Sequence, residues 1–299
     1  MLFTVFTATY NRRHTLQRLF ESLDTQTLRD FEWLVVDDGS ADGTGELMRE
    51  LEQRASFPLR YHYQPNGGKH VASNLAVELA EGELFATLDS DDALAPRALE
   101  RLAKHWSEVP EDRRHEFSGV NCLCATEDGA IIGDLFPASP GNDGVLDSDP
   151  ISMMRFRLAG DKWGFHRTET MRQFRFPEFA GETYIPDGLL WQRIGSEYRI
   201  RYVNEPLRVL YFDEQDCMSK RNVELRSRNP RGSQLLYLEQ SRVAPTVRLK
   251  SKALINYIRF SLHGGLSIDL NPSTVALFPA GVAMWLRDRG ALKRVLASV

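Results

Sequence analysis

Two acidic clusters stand out in the first third of this 299-residue chain. Asp89-Ser90-Asp91-Asp92 follows the apolar run 84–88. At the end of an extended strand, residues two apart share a side, so Asp89 and Asp91 are expected to converge. Converging carboxylates repel unless a cation sits between them or one takes a proton. A hard divalent ion with oxygen ligands, Mg²⁺ or Mn²⁺, is the natural partner. Asp92 is expected to point away and to help cap a helix opening near Pro96. The plain alternative is an acidic turn that only caps this helix, but the cluster is larger than a cap requires. The second cluster, Asp37-Asp38-Gly39-Ser40, follows Trp33-Leu34-Val35-Val36. A carboxylate at such a strand end can accept hydrogen bonds from a base N–H or from ribose hydroxyls, and Gly39 permits a tight turn.

Three further segments carry chemistry. Pro65-Asn66-Gly67-Gly68-Lys69-His70 combines a glycine turn with a lysine at a helix start, a plausible anion site whose plain reading is a loop with a solvated lysine. Thr7-Ala8-Thr9-Tyr10-Asn11-Arg12 ends the first strand; Tyr10 there is placed to stack on a base or simply to pack. Neither a Gly-x-Gly-x-x-Gly fingerprint nor a Walker-type Gly-Lys-Ser/Thr occurs. His166 is a lone histidine, and such residues are usually structural.

The elements that must position these residues follow from periodicity. Apolar runs at 2–7, 32–37, 59–64 and 84–88 read as strands. Between them Leu16/Leu19/Phe20/Leu23 and Ala72/Leu75/Ala76/Leu79 recur at helical spacing, as do Leu99/Leu102/Ala103/Trp106 after the fourth run. Strand–helix alternation implies an α/β fold with a mostly parallel sheet covered on both faces. Ligands bind such sheets beyond the carboxyl ends of the strands, where all four segments above fall. Residues 119–136 read as strand, Asp128-Gly129 turn and strand, and 137–150 as a mobile loop rich in turn formers. From Asp216 the pattern turns helical, giving an expected first domain over 1–215 and a helical region over 216–299.

Composition narrows the class. Cys122, Cys124 and Cys217 cannot form a disulfide framework and lack zinc-ligand company, so buried thiols in a reducing compartment are expected. The N-terminus enters a strand pattern without a basic leader, and no apolar stretch is long enough to span a bilayer. The net charge of −4 hides an asymmetry: residues 242–299 hold nine Lys/Arg against Asp269 and Asp288, a balance of +7 that leaves −11 for residues 1–241. A basic tail on an acidic body suits either an anionic membrane surface or a solvated helical face. Residues 274–286 are apolar but short and broken by Pro279; with Arg287, Arg289, Lys293 and Arg294 following, they suit a membrane interface or docking onto the rest of the chain. A cytoplasmic protein, peripheral at the inner face of the membrane and without a nucleic-acid partner, is the expectation.

The ordered set Thr7-Ala8-Thr9-Tyr10-Asn11-Arg12, Val35-Val36-Asp37-Asp38-Gly39-Ser40-Ala41-Asp42-Gly43-Thr44, Asn66-Gly67-Gly68-Lys69 and Leu88-Asp89-Ser90-Asp91-Asp92 resembles the family-2 inverting glycosyltransferases with a GT-A (Rossmann-like) fold. The resemblance is tight over residues 1–110 and looser over 160–215. It implies a nucleotide-sugar donor, UDP-linked by preference, and transfer of one sugar to a hydroxyl of a saccharide or lipid-linked saccharide in cell-surface polysaccharide or glycolipid assembly. Asp38, with Ala8 and Tyr10, would hold the uracil-type base, Asp89 with Ser90 the ribose, and Asp91 the Mn²⁺ or Mg²⁺ that bridges the diphosphate. Lys69 and Asn74 would line the donor pocket. The family's Glu-Asp pair before Leu-x-x-Arg aligns with Pro186-Asp187 before Leu190 and Arg193, which puts Asp187 in the place of the catalytic base, with Glu182 as its rival and a helix N-cap as its plain reading. The histidine that often completes the metal site is missing from 200–215, and the Gln-x-x-Arg-Trp signature of processive synthases is missing altogether. Two competitors stand beside this reading. One is a non-catalytic nucleotide-sugar-binding or scaffolding protein. The other is a haloacid-dehalogenase-type phosphohydrolase, disfavoured by Ala93 and by the position of the motif on the fourth strand.

Overall fold

The computed structural model describes residues 1–137, 144–212 and 222–296, and side chains as far as 290. The chain divides into two compact units, Met1–Arg175 with Ile194–Phe212, and Phe176–Arg193 with Asp213–Val299. The segment Phe176–Arg193, expected in the first domain, therefore groups with the C-terminal helices. Cys217 lies outside the described residues, as does 138–143 of the expected mobile loop.

The first unit is built on β1 (Phe3–Thr9), α1 (Arg13–Asp24), β2 (Phe31–Asp37), α2 (Thr44–Arg54), β3 (Leu59–Tyr63), α3 (Lys69–Leu79), β4 (Leu84–Thr87), β5 (Ala93–Leu94), α4 (Ala98–Ser107) and β6 (Phe117–Ala125). It continues with β7 (Val145–Ser148), α5 (Pro150–Met153), β8 (Lys162–Arg167), α6 (Thr168–Gln173) and, after α7 (Gly188–Gly195), β9 (Arg199–Val209). One sheet runs β3-β2-β1-β4-β8-β6-β9-β5, with β7 added on β9. The first four strands are mutually parallel, as expected. From β8 onward the pairing is mixed: β8 lies antiparallel between β4 and β6, and β9 is parallel to β6 but antiparallel to β5 and β7. The sheet is therefore mixed rather than mostly parallel. Val145–Ser148, expected within a loop, pairs with Ile200–Val203. Pairing with β9 satisfies the backbone groups on that side of it despite its Asp and Ser.

Burial explains the central strands. Every residue of β2 is buried, and β1 is buried but for Ala8, which is half-buried. This two-sided cover is what a parallel sheet flanked by helices requires. Helix α1 supplies Leu16, Leu19, Phe20 and Leu23, and α4 supplies Leu99 and Leu102. In α3 His70, Ala72, Ser73, Asn74, Ala76 and Val77 are buried, while Leu75 and Leu79 are only half-buried. Cys122 and Cys124 lie in the main core beside Phe165 and Val203. Burial pushes the Cys122 thiol well up and the Cys124 thiol up to about 12.

The second unit consists of 176–193 with α8 (Asn222–Arg228), α9 (Pro230–Val243), α10 (Val247–Gly264) and α11 (Pro272–Leu296). Tyr237 and Phe260 stack with ring centroids 5.6 Å apart, and Arg193 grips Glu239 with two bonds at 2.9 and 2.7 Å. Asp288 of α11 accepts from Arg259 of α10 at 2.5 and 2.6 Å and contacts His263 at 3.1 Å, a buried group that fixes the two helices together. Among the described residues no helix is long and apolar enough to cross a membrane.

Candidate active site

The four chemical segments emerge side by side, because β3, β2, β1 and β4 are neighbours and run in the same direction. Their loops are tied together. The Asp38 amide donates to the Thr9 carbonyl at 2.8 Å, and the Gln64 amide to the Asp37 carbonyl at 2.9 Å. The Asn11 amide donates to Ser40 Oγ at 2.8 Å, and the Arg13 amide to Asp42 Oδ2 at 2.9 Å. Gly39, at φ +91°, brings its Cα so close to Asn66 that a Cβ would lie 2.9 Å from the Asn66 nitrogen. Only glycine meets both demands without strain.

Asp38 is 4 % exposed and spends its carboxylate on the chain itself. Oδ1 accepts from Gln64 Nε2 at 2.7 Å and from the Gly67 amide at 2.8 Å; Oδ2 accepts from the Gly68 amide at 2.8 Å. Asp37 is likewise engaged, by the Ser40 amide and by the Tyr61 hydroxyl. The acidic pair therefore shapes the loops around it. Tyr10 stands beside these loops with 51 % of its surface exposed, and Ala8 is half-buried. Asn74 and Ser90 are buried.

The cluster after β4 is a compact charge network. The strand ends at Thr87 and residues 89–92 form a turn, with the Asp92 amide donating to the Asp89 carbonyl at 3.2 Å. Lys69 Nζ lies 2.7 Å from Asp89 Oδ1, and an Arg208 terminal nitrogen 2.6 Å from Asp89 Oδ2. Arg208 Nε also donates to Asp92 Oδ2 at 2.8 Å, and its terminal nitrogen contacts the same oxygen. Burial opposes ionisation of Asp89, yet Lys69 and Arg208 outweigh it and hold the carboxyl well below the usual range. Burial pushes the Asp92 carboxyl up to about 6, against the attraction of Arg208. Arg208 is itself raised by Asp89 and Asp92 despite its own burial.

The expected outward, helix-capping Asp92 is thus corrected. It is buried and pairs with Arg208, while α4 opens at Ala98 with no side-chain cap. Strict alternation of sides applies to an extended strand, and this segment is a turn. Arg208, near the end of β9, was missed by sequence reasoning. No local signal marks it out, because β9 also carries Arg199, Arg201, Asn204 and Glu205.

Asp91 differs from its neighbours. It is half-buried, its backbone carbonyl is anchored by Arg18, and its carboxylate has no hydrogen-bond or ionic partner among the described residues. No group of three or more His, Cys, Asp or Glu side chains arranged to hold a metal occurs among those residues. A hard cation here would find one protein carboxylate and need its other oxygen ligands from substrate, an arrangement typical of Mg²⁺ bound with phosphates. The donor set fits in that sense. His166 is buried, contacts Ser118 Oγ at 3.1 Å and is held neutral by burial, down to about 4, as a structural histidine should be.

In the second unit, the Asp187 carbonyl accepts from the Leu190 and Trp191 amides at 3.0 and 3.3 Å, so Asp187 opens α7. Its rival Glu182 is buried and caps α9, with its two oxygens accepting from the Arg231 and Gly232 amides at 2.7 and 3.0 Å.

Comparison with known proteins agrees with this architecture. Residues 4–112 match the model of glycosyl transferase family 2. The chain is 29% identical over 224 residues to a GalNAc(5)-diNAcBac-PP-undecaprenol beta-1,3-glucosyltransferase of Campylobacter jejuni, covering 72% of this chain and 66% of that protein. It is 34% identical over 165 residues to the putative teichuronic acid biosynthesis glycosyltransferase TuaG of Bacillus subtilis, covering 54% and 64%. The chain thus spans just under two thirds of the length of either relative. In fold it is similar to S. aureus TarS 1-349 in complex with UDP-GlcNAc, with a TM-score of 0.60 at 20% identity over 96% of this chain and 81% of that one. It is also similar to the mannosyltransferase PcManGT of Pyrobaculum calidifontis in complex with GDP-Man and Mn²⁺, with a TM-score of 0.54 at 18% identity over 95% and 80%. The mixed sheet with its four ordered strand-end loops is a GT-A fold, and residues 4–112 carry a glycosyl transferase family 2 domain.

Proposed function

We propose that this protein transfers a single sugar from a nucleotide-sugar donor, UDP-linked by preference, to a hydroxyl of a saccharide or lipid-linked saccharide, with inversion at the anomeric carbon. The observation that carries the reading is the Asp91 carboxylate, which has no hydrogen-bond or ionic partner among the described residues, at the carboxyl end of a sheet whose neighbouring loops are rigidly cross-braced. The loop braced by Asp38, with Ala8 and Tyr10, receives the base. Asp89, Ser90, Lys69 and Asn74 receive the ribose and diphosphate. A divalent cation, Mn²⁺ or Mg²⁺, held by Asp91 would supply Lewis-acid neutralisation of the leaving diphosphate. Sugar nucleotides in both structural neighbours, and Mn²⁺ in one, support the donor class.

Asp187 acts as the base that takes the proton of the acceptor hydroxyl as it attacks the anomeric carbon. Direct displacement needs no enzyme nucleophile and leaves the diphosphate as the departing group. The commitment of Glu182 to the α9 amides favours Asp187 over its rival. Asp187→Asn is expected to lower kcat at least about a hundredfold, within the usual range for removing a general base, while donor affinity stays nearly unchanged. Equal loss of both would refute the assignment. A merely donor-binding protein would show no metal-dependent donor hydrolysis in the absence of acceptor.

The acceptor class draws on the names of the two relatives, a polyprenol-linked saccharide glucosyltransferase and a teichuronic acid transferase. A peripheral site at an anionic membrane suits it. On α11, Val275, Ala276, Pro279, Ala283 and Leu286 are exposed without a charged residue among them, and Arg287 and Arg289 follow. Such a face is built to lie at an interface. Sedimentation with anionic but not neutral liposomes is the expected result.

A further inference from the structure

We propose that Arg226 is an anion-binding residue of the acceptor subsite, set beside Asp187 to hold a phosphate or carboxylate group of the acceptor; the inference rests on the reading of Asp187 as the base. Every residue it uses lies in the second unit. An arginine cannot shed its charge, so a guanidinium withdrawn from water calls for negative charge around it. Among the described residues of this unit, Arg193, Arg226 and Arg259 are withdrawn in this way. Arg193 and Arg259 are each gripped by a carboxylate through two bonds, the one by Glu239 and the other by Asp288.

Arg226, half-buried on α8, is held by phenols instead. A terminal nitrogen donates to the Tyr237 hydroxyl, the guanidinium carbon stands 5.4 Å from the centroid of that ring, and the Tyr184 hydroxyl is a second partner. Its Nε–H is buried with no acceptor among the described residues. The carboxylates on the adjoining segments are committed elsewhere: Glu224 pairs with Arg228 at 2.8 Å, and Glu182 accepts from the amides that open α9. Neutral hydroxyls orient a guanidinium without cancelling its charge. What remains is a fixed fork with a full positive charge and unspent N–H groups, the donor pattern that matches a carboxylate or a phosphate.

Tyr184 ties this fork to the base. Burial raises its hydroxyl; Arg226 works against that, and Asp187 and Tyr237 add to it, so each of the three acts on Tyr184 at close range. The mounting is stiff. Asn229 Oδ1 accepts from the Thr183 and Tyr184 amides at 2.8 and 3.1 Å, and Ser233 Oγ donates to the Arg226 carbonyl at 3.2 Å. Gly232 lies so near Ile185 that a Cβ would stand 2.5 Å from its Cδ1. The segment bearing Asp187 and the corner between α8 and α9 therefore form one frame. An acceptor whose anion rests on Arg226 presents its hydroxyl to Asp187 from a fixed anchor, the orientation on which a general base depends. Two anions suit the acceptor class proposed above, the phosphate ester that joins a saccharide to a lipid and the carboxylate of an acidic sugar. A neutral sugar offers neither.

The test follows the arginine Nε–H resonances of the full, isotope-labelled chain in excess UDP, with inorganic pyrophosphate, D-glucuronate and D-glucose as probes. Arg226→Lys identifies the Arg226 signal by its loss. At least one of the two anions is expected to shift that signal to saturation, and glucose to leave it in place. A response to pyrophosphate alone assigns the phosphate ester, to glucuronate alone the acidic sugar, and to both a site that reads charge. Arg226→Met is expected to weaken the responding anion at least about tenfold by titration calorimetry, the scale of losing a charged hydrogen-bond donor, and Arg226→Lys, which keeps the charge, to weaken it less. Should Arg226→Met fail to fold, the wild-type resonance decides alone. A signal that no probe moves, one that glucose moves equally, or an affinity within about threefold of wild type in Arg226→Met overturns the inference. In Asp187→Asn, kcat lost with anion binding intact upholds both readings. Retained kcat overturns the base and, with it, the acceptor role, even where Arg226 binds the anion.

Discussion

Asp38 offers the sharpest test of how this site is held. Its two oxygens accept three hydrogen bonds, from Gln64 Nε2, Gly67 N and Gly68 N, all between 2.7 and 2.8 Å and nearly out of reach of solvent. Replacing Asp38 by Asn changes one oxygen into a donor. If the amide nitrogen faces Gly68, two donors oppose each other; if it is flipped, the Gly67 amide is the one opposed. Gln64 can rotate its own amide to adapt, but a backbone N–H cannot. At least one buried donor is therefore stranded, costing about 1–3 kcal/mol, and the remaining bonds lose charge assistance worth about 1 kcal/mol each. The sum, about 3–5 kcal/mol, is a large share of the 5–15 kcal/mol typical of a whole domain. Because the chain has two units, a single melting midpoint is a blunt measure. Amide hydrogen exchange over residues 64–72 reads the site directly, and exchange there should accelerate at least about thirtyfold. Nucleotide affinity should fall with it, since the same turn carries Lys69 and the start of α3. If exchange over 64–72 stays within about twofold of wild type while nucleotide binding is lost, Asp38 touches the base itself and the bracing argument is wrong.

Two other outcomes follow from charge and burial. Glu205 accepts from Arg101 at 2.5 and 2.7 Å and from His105 at 2.6 Å, and these bonds, against some burial, hold its carboxyl down to about 2. A depressed acid stabilises the fold above its unfolded value, about 4.5, and that contribution is lost as pH falls toward about 2. With its side chain 28 % exposed, roughly 1–2 kcal/mol is at stake after allowing for solvent screening. The Glu205→Gln variant should therefore lose less stability than wild type between pH 4.5 and 2.5, measured by urea midpoint; equal acid slopes would refute the assignment. The thiols of Cys122 and Cys124, buried and raised, should stay silent to Ellman's reagent at pH 8 until urea is added, so that native protein yields at most one thiol per chain.

The legible and illegible parts of this molecule divide along the range of the interactions that made them. Strands β1 to β4 and helices α1, α3 and α4 could be placed from apolar spacing, because each buries its face against sequence neighbours. The loops at their ends could then be assembled from the parallel order alone. Beyond residue 117 the sheet is built by pairings that no local pattern announces. Strand β8 enters between β4 and β6, and the polar strand β7 exists because β9 offers it an edge. The candidate site shows the same division at the level of single residues. Asp89 and Asp91 were visible as an acidic turn, and the need for positive charge near them followed from repulsion. That reasoning offered a metal as the solution, whereas the chain already supplies two cations, Lys69 from 20 residues before Asp89 and Arg208 from 119 residues after it. The metal, if the proposed reading holds, is required by the diphosphate rather than by the aspartates. An acidic motif read in isolation overstates its own appetite for a cation, because the compensating charge is a tertiary fact.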